Sequence, residues 1–117
     1  MGRALTSYLR THRKRSGLTQ SEVAYLLGLK SGQIVSRHER LDRRPNLETM
    51  FAYQIIFDVL PHELYPGLYE KVENVTKLRI QELLGRIGED PDMGIATRKR
   101  DILAQAQGRI GLRRTRL

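Results

Sequence analysis

The sequence predicts an all-α protein. Apolar side chains recur at helical spacing in successive segments, and residues that cap helices or end them separate these segments. No segment shows the alternation of apolar and polar residues that is typical of a half-buried β-strand. This pattern fits about five or six helices.

Length and composition limit the possible classes of protein. A chain of 117 residues fits one compact domain, or a small domain with a helical extension. The chain has no cysteine, which excludes disulfides and thiolate metal sites. No stretch approaches the ~20 apolar residues of a membrane span, and the N-terminus lacks the apolar run of a signal peptide. We therefore expect a cytoplasmic protein without a membrane partner.

The charge balance is strongly basic. Lys and Arg number 21 against 13 Asp and Glu, a net charge of +8, which attracts polyanions such as nucleic acid or anionic lipid. A solvated surface explains any single basic run equally well. The runs are Arg3, Arg10, Arg13, Lys14 and Arg15; Lys30, Arg37, Arg40, Arg43 and Arg44; and Arg109, Arg113, Arg114 and Arg116.

Local signals place three short helices in the N-terminal part. The first is predicted from about Thr6 to Ser16. Residues 19–22, Thr-Gln-Ser-Glu, have the form of a capping box that opens a second helix, which Gly28 ends. The third covers residues 32–40, with Val35 and His38 turned inward.

The remaining chain predicts further helices. Asn46 caps a fourth helix, residues 60–67 hold one short helical turn, and a long amphipathic helix runs from Leu68 to about Ile87. Thr97 caps a last helix, and the chain frays beyond Gly108. The predicted apolar rows are Leu47, Met50, Phe51 and Ile55 on the fourth helix; Tyr69, Val72, Thr76, Ile80, Leu83 and Ile87 on the long helix; and Ile102, Leu103 and Ala106 on the last.

A helix-breaking segment divides the C-terminal part of the chain. Residues 88–92, Gly-Glu-Asp-Pro-Asp, combine glycine, proline and acids. The predicted parts are residues 1–67, a small helical domain; residues 68–90, an amphipathic helix; and residues 91–117, a short helix with a basic tail.

The second and third helices have the features of a DNA-reading helix-turn-helix. A tight glycine-containing turn joins them, and the third presents a polar stripe at positions i, i+3, i+4 and i+7. Gln and Arg carry donors and acceptors that match adenine and guanine edges, and a serine lets the helix approach closely. The stripe is Gln33, Ser36, Arg37 and Arg40.

Four motifs follow in order: Leu9-Arg10-x-x-Arg13; Gly17-Leu18-Thr19-Gln20-x-x-Val23-Ala24-x-x-Leu27-Gly28-Leu29; Val35-Ser36-Arg37-x-Glu39; and Pro45-x-Leu47. In these motifs the chain resembles the Cro and phage-repressor-like helix-turn-helix proteins, the XRE family, over about Leu9 to Val59. The resemblance implies a lambda repressor-like domain of four to five helices, here with a C-terminal helical extension.

The resemblance also implies roles for single residues. Gln20 contacts a DNA phosphate and braces the third helix, Arg13 pairs with Glu39, Ala24 lies at the helix crossing and Gly28 forms the turn. The residues implied to face bases are Gln33, Ser36 and Arg37, and those implied near phosphates are Lys30, Arg40 and Arg43, with Ser31 also able to reach the backbone. One feature departs from the family, because Gly28 to Glu39 holds one residue more than the commonest spacing. We place the extra residue within residues 30–34, which include Gln33 and the start of the third helix.

The leading prediction is a transcriptional regulator, acting as a repressor, that binds double-stranded DNA. The long helix either pairs with a second subunit, giving a homodimer, or folds back onto the N-terminal domain. One alternative is a protein-interaction module of the antitoxin or phage-adaptor type, and another is a peripheral membrane protein that uses the arginine tail. No catalytic motif, cofactor site or small-molecule site is evident, and His12, His38 and His62 lack the spacing of a zinc enzyme. We therefore expect that the protein is not an enzyme and binds no metal ion.

Overall fold

The computed structural model describes residues 7–89 and 91–112. Within these residues all regular structure is helical, which confirms the predicted all-α class. The chain divides into two compact units, Met1–Leu68 and Tyr69–Leu117. The predictions made for Arg3, Thr6, Arg113, Arg114 and Arg116 lie outside the described residues.

Seven α-helices follow one another along the described chain, with one 3-10 turn before the last. They are α1 (Leu9–Ser16), α2 (Gln20–Leu27), α3 (Gly32–Arg40), α4 (Leu47–Phe57), α5 (Pro61–Leu64), α6 (Pro66–Leu84), the 3-10 turn (Ile87–Glu89) and α7 (Met93–Arg109).

The caps predicted for α2 and α4 are confirmed. The Glu22 N–H donates to Thr19 Oγ1 at 3.0 Å, and the Thr19 N–H donates to a Glu22 carboxylate oxygen at 2.9 Å. Gly28 ends α2 with φ of 73°, a left-handed conformation that is unfavourable for any residue with a Cβ. Asn46 Oδ1 accepts from the Thr49 N–H at 2.9 Å and so opens α4.

One buried cluster holds the first unit together. It draws on α1 to α5 and contains Leu9, Val23, Ala24, Val35, Tyr53, Val59, Leu64 and Tyr65. The Tyr8 N–H donates to the Leu64 carbonyl oxygen at 2.8 Å, which ties the start of α1 to the end of α5. Helix α1 begins at Leu9 rather than at Thr6, because Ser7 and Tyr8 are not helical.

The predicted apolar row of α4 packs inward at Met50 but not at its other three residues. Tyr53 is fully buried, and Met50 and Phe57 pack against the core, whereas three other apolar side chains face solvent. Their exposed fractions are 67% for Leu47, 54% for Phe51 and 82% for Ile55. The helix is apolar on nearly all sides, so periodicity alone does not select the face that packs inward.

Helices α6 and α7 run antiparallel within the second unit. Residues near the end of α6 share a groove with the start of α7, and Tyr69 to Thr76 share another with Ala106 to Ile110. The Gly111 N–H donates to Glu73 Oε2 at 2.8 Å, which ties the end of α7 to the first half of α6. Apolar burial here is small and consists of Ile80, Ile87 and Ala96 among the described residues.

Two expectations for this region need correction. Helix α6 ends at Leu84, and Ile87 belongs to the 3-10 turn, because Gly85 and Arg86 form a turn first. The cap of α7 is Asp92, whose Oδ1 accepts from the N–H groups of residues 94 and 95. Thr97 lies inside α7, where its hydroxyl donates to the carbonyl oxygen four residues earlier.

The predicted apolar row of α6 is divided in the structure. Ile80 and Ile87 are buried within the second unit, whereas Val72 and Leu83 are exposed. Among residues 7–89 and 91–112, no helix is both long enough and apolar enough to cross a membrane.

Candidate nucleic-acid interface

Helices α2 and α3 pack closely at their first turns. A Cβ added to Gly32 would lie 3.0 Å from the backbone carbon and the Cβ of Gln20 and from the backbone nitrogen of Ser21. Such distances are tighter than most Cβ contacts in proteins, so a side chain at this position would require α2 and α3 to move apart by a few tenths of an ångström. Sequence reasoning missed the steric role of Gly32.

The turn between the two helices is fixed by backbone hydrogen bonds. The Gly28 N–H donates to the carbonyl oxygens of Ala24 and Tyr25, and the Leu29 N–H donates to that of Ala24 at 2.8 Å. Ala24 is buried in the core cluster of the first unit. Lys30 and Ser31 complete the turn and are exposed.

Helix α3 presents two different faces. Val35 is fully buried and His38 is 3% exposed, so both belong to the inward face. Gln33, Arg37 and Arg40 are exposed on the outward face, and Ser36 is half-buried beside them. The structure therefore brings the predicted polar stripe together on one surface.

Arg13 and Glu39, expected as an ion pair, are in contact. Arg13 Nε donates to Glu39 Oε2 at 2.5 Å, and the side chains are only 11% and 3% exposed. Arg13 Nη1 also donates to the Leu18 carbonyl oxygen at 3.1 Å. The pair connects α1 and the α1–α2 loop to the end of α3.

Gln20 joins the same network. Its Nε2 donates to Glu39 Oε1 at 3.1 Å, so its amide supports α3 from the first residue of α2. The resemblance implied that Gln20 braces the third helix, and this contact joins Gln20 to that helix. Glu39 thus accepts from two side chains of different helices, which fixes the position of α3 against α1 and α2.

Arg40 makes intramolecular contacts that sequence reasoning missed. Its Nε donates to Asp42 Oδ2 at 2.8 Å, and its Nη1 donates to Ser36 Oγ at 2.5 Å. Ser36 therefore supports an arginine as well as lying on the stripe. The sequence contains one signal for these contacts, an acid two residues after Arg40. In the structure α3 ends between Arg40 and Asp42, at Leu41, whose φ is 58°.

His38 anchors α3 to the core through polar contacts. Its Nδ1 and the Tyr53 hydroxyl share a 2.7 Å hydrogen bond, with the rings edge to face, and the Tyr65 hydroxyl donates to the His38 carbonyl oxygen at 2.9 Å. Burial lowers the pKa of His38, and the positive charge of Arg43 lowers it further. Burial raises the pKa of Tyr53. Both groups are therefore neutral near pH 7.

Basic side chains extend the outward surface beyond both ends of α3. Arg43 and Arg44 are exposed in the loop that follows the helix. On the other side, Arg10 and Lys14 line a shallow hollow of about 550 Å³ that Gln20 also borders. Arg10 and Lys14 were noted in a basic run but were not predicted as site residues.

Comparisons with protein-family models, with curated proteins and with solved structures found no match to this chain. In residues 7–89 and 91–112 no group of three His, Cys, Asp or Glu side chains could hold a metal ion.

Proposed function

We propose that this chain binds double-stranded DNA sequence-specifically and regulates transcription as a repressor of the XRE helix-turn-helix family. In this proposal α2 and α3 form the helix-turn-helix of a lambda repressor-like domain, and α3 enters the major groove. Such a regulator acts in the cytoplasm, where it meets its operator.

The observation that carries the proposal is the division of α3 into two faces. Val35 and His38 are held in the core, and Arg37 and Gln33 are exposed on the opposite side. An arginine can bind guanine O6 and N7 together, and a glutamine can bind adenine N6 and N7 together. The Arg13–Glu39–Gln20 network supports base reading because it holds this helix in one orientation.

The flanking cations supply affinity without sequence preference. Lys30 lies before α3 and Arg43 after it, and both are exposed. Arg10 and Lys14 beside Gln20 provide a further place for a phosphate at the start of α2. Phosphate contacts of this kind fix the register of the protein on the duplex.

Selection of bound sequences from random duplexes, followed by titration of the selected site at several salt concentrations, tests the proposal. Each phosphate contact releases counterions, so the slope of log K against log salt is expected to fall by ~0.9 for each contact. We expect one enriched sequence and a steep negative slope. No enrichment, or an affinity that does not depend on salt, would contradict DNA binding.

We also propose that the chain acts as a homodimer. A two-fold dimer presents two reading helices to the two halves of a palindromic operator. The exposed apolar side chains of both units give this proposal its physical basis.

A further inference from the structure

Two exposed apolar surfaces of this chain are similar in length and differ in charge. The first, which we call the α4 stripe, consists of Leu47, Phe51 and Ile55 at positions i, i+4 and i+8 of α4. All three side chains are more than half exposed. The stripe spans about 12 Å at ~1.5 Å per residue. An apolar helix face of this length is a typical ligand for a groove between helices.

Within α4 the charge beside the stripe is negative, whereas the exposed Arg44 precedes the helix in the loop. Glu48 is the single charged residue between Leu47 and Phe57, and Asp58 follows directly. Glu48 is exposed in the first turn of the helix. A partner surface with positive charge at its edges is therefore favoured over a neutral or acidic one.

The second surface lies in the other unit and is an open groove of about 690 Å³, which we call the basic-rimmed groove. Its apolar lining residues are Leu83, Ile87, Pro91, Ile95, Ile102 and Leu103. Along α7 the lining extends from Ile95 to Leu103, eight residues or about 12 Å. The groove therefore has the length that the α4 stripe requires.

The charges of the basic-rimmed groove are all positive among the described residues that line it. They are Arg86, Arg98 and Lys99, and each is exposed. Arg86 also lies 3.9 Å from Glu82, but both side chains are about 70% exposed, so this contact screens its charge only weakly. Two such grooves facing each other would place like charges together, which disfavours pairing of groove with groove.

We infer that the α4 stripe of one copy docks in the basic-rimmed groove of a second copy, and that the reciprocal contact closes a two-fold dimer. The inference rests on the proposed homodimer and not on DNA binding. Each contact removes the three stripe side chains and the groove floor from water, and the two-fold axis doubles this burial. Glu48 then lies against the cationic rim of the partner.

A complementation experiment with the full-length chain tests this inference by sedimentation equilibrium. Phe51→Glu damages only the stripe, and Ile102→Glu damages only the groove. Each side chain is more than half exposed, so both variants are expected to fold, with unchanged far-ultraviolet circular dichroism. Alone, each variant is expected to raise the dimer dissociation constant by roughly tenfold or more.

An equimolar mixture of the two variants is decisive. It can form one intact contact, between the stripe of Ile102→Glu and the groove of Phe51→Glu, so the mixture is expected to associate more tightly than either variant alone. Tyr25→Glu serves as a control, because Tyr25 is 83% exposed on α2 and belongs to neither surface. It is expected to leave the dissociation constant unchanged.

A charge-reversal variant tests the role of the positive charges at the rim of the basic-rimmed groove. Arg98→Glu is expected to weaken the dimer, whereas Arg100→Glu, on the same helix but not lining the groove, is expected to have little effect. A monomeric wild-type chain, weakening by only one of Phe51→Glu and Ile102→Glu, or no gain in the mixture would overturn the inference. DNA binding is measured separately, so its failure would not be confused with failure of this contact.

Discussion

Arg40 Nε donates a 2.8 Å hydrogen bond to Asp42 Oδ2 at the end of the helix that we propose enters DNA. Both side chains are 58% exposed, so the pair contributes little to the stability of the fold. Its consequence is electrostatic, because a carboxylate offsets an arginine on the proposed DNA-binding surface. Asp42 is therefore expected to limit the affinity of Arg40 for phosphate.

Asp42→Asn is expected to strengthen binding to selected and random duplexes alike. The released Arg40 can contact phosphate, so the magnitude of the salt slope is expected to grow by ~0.9. Asp101→Asn on α7, in the second unit, makes the same change in net charge and serves as the matched control. Equal effects of the two variants on DNA affinity would show that Asp42 does not act through Arg40.

The Arg13–Glu39 pair is expected to stabilise the first unit. Glu39→Ala leaves Arg13 nearly buried without its carboxylate and removes the acceptor of Gln20, so a loss of about 3 kcal/mol in unfolding free energy is expected. Tyrosine fluorescence during urea unfolding can follow the loss, since Tyr8, Tyr25, Tyr53 and Tyr65 all lie in this unit.

The control for this prediction is Glu82→Ala, which removes only the exposed contact with Arg86. We expect that variant to change the unfolding free energy by well under about 1 kcal/mol. If Glu39→Ala were no more destabilising than Glu82→Ala, the pair would have no structural role.

His38 is expected to make stability depend on pH. Its pKa is lowered in the folded state, so below its ordinary value of 6.5 the unfolded chain binds the proton more readily. The stabilisation is complete above that value, and it is lost as the pH falls from 6.5 towards the lowered pKa of the folded state. Unfolding free energies measured across this range are expected to fall with decreasing pH.

His38→Phe is the comparison for the pH prediction. The variant keeps His12 and His62 and all carboxylates, and lacks only the buried imidazole. We expect a shallower dependence on pH between about 7.5 and 5.5. Identical slopes for the wild type and the variant would mean that His38 is not the group responsible.

Gly32→Ala is expected to be destabilising, because its Cβ would meet the backbone of Gln20 and Ser21 at 3.0 Å. A cost of about 1–3 kcal/mol is typical of overpacking at a fixed contact. Gly108→Ala on α7 meets nothing within 4 Å, and the gain in helix propensity is expected to stabilise that helix. Thermal unfolding of the two variants should therefore shift in opposite directions. Equal shifts would show that the α2–α3 approach is not tight.

Local chemistry in the sequence predicted the helices well. The Thr19 capping box and the Asn46 cap depend on residues within three positions of each other, and both are present in the structure. The inward face of α4 was not predictable in this way, because that helix is apolar on both sides and only tertiary packing selects Tyr53 over Leu47.

The sequence also predicted only some of the contacts in the candidate site. The outward positions of Gln33 and Arg37 followed from helical spacing, and the Arg13–Glu39 contact followed from the resemblance. The Arg40–Asp42 contact depends on the left-handed conformation of Leu41, which the sequence does not signal because leucine rarely adopts it.

The most direct test of the central claim compares Arg37→Ala with Arg43→Ala on two DNAs, the selected site and a random duplex, at one salt concentration. Arg37 lies on the outward face of α3, and its loss is expected to reduce discrimination between the two DNAs by ~1–3 kcal/mol. Arg43 lies in the loop beyond α3, and its loss is expected to weaken binding to both DNAs equally. Equal losses on both DNAs for Arg37→Ala, or a selective loss for Arg43→Ala, would contradict base reading by this face of α3.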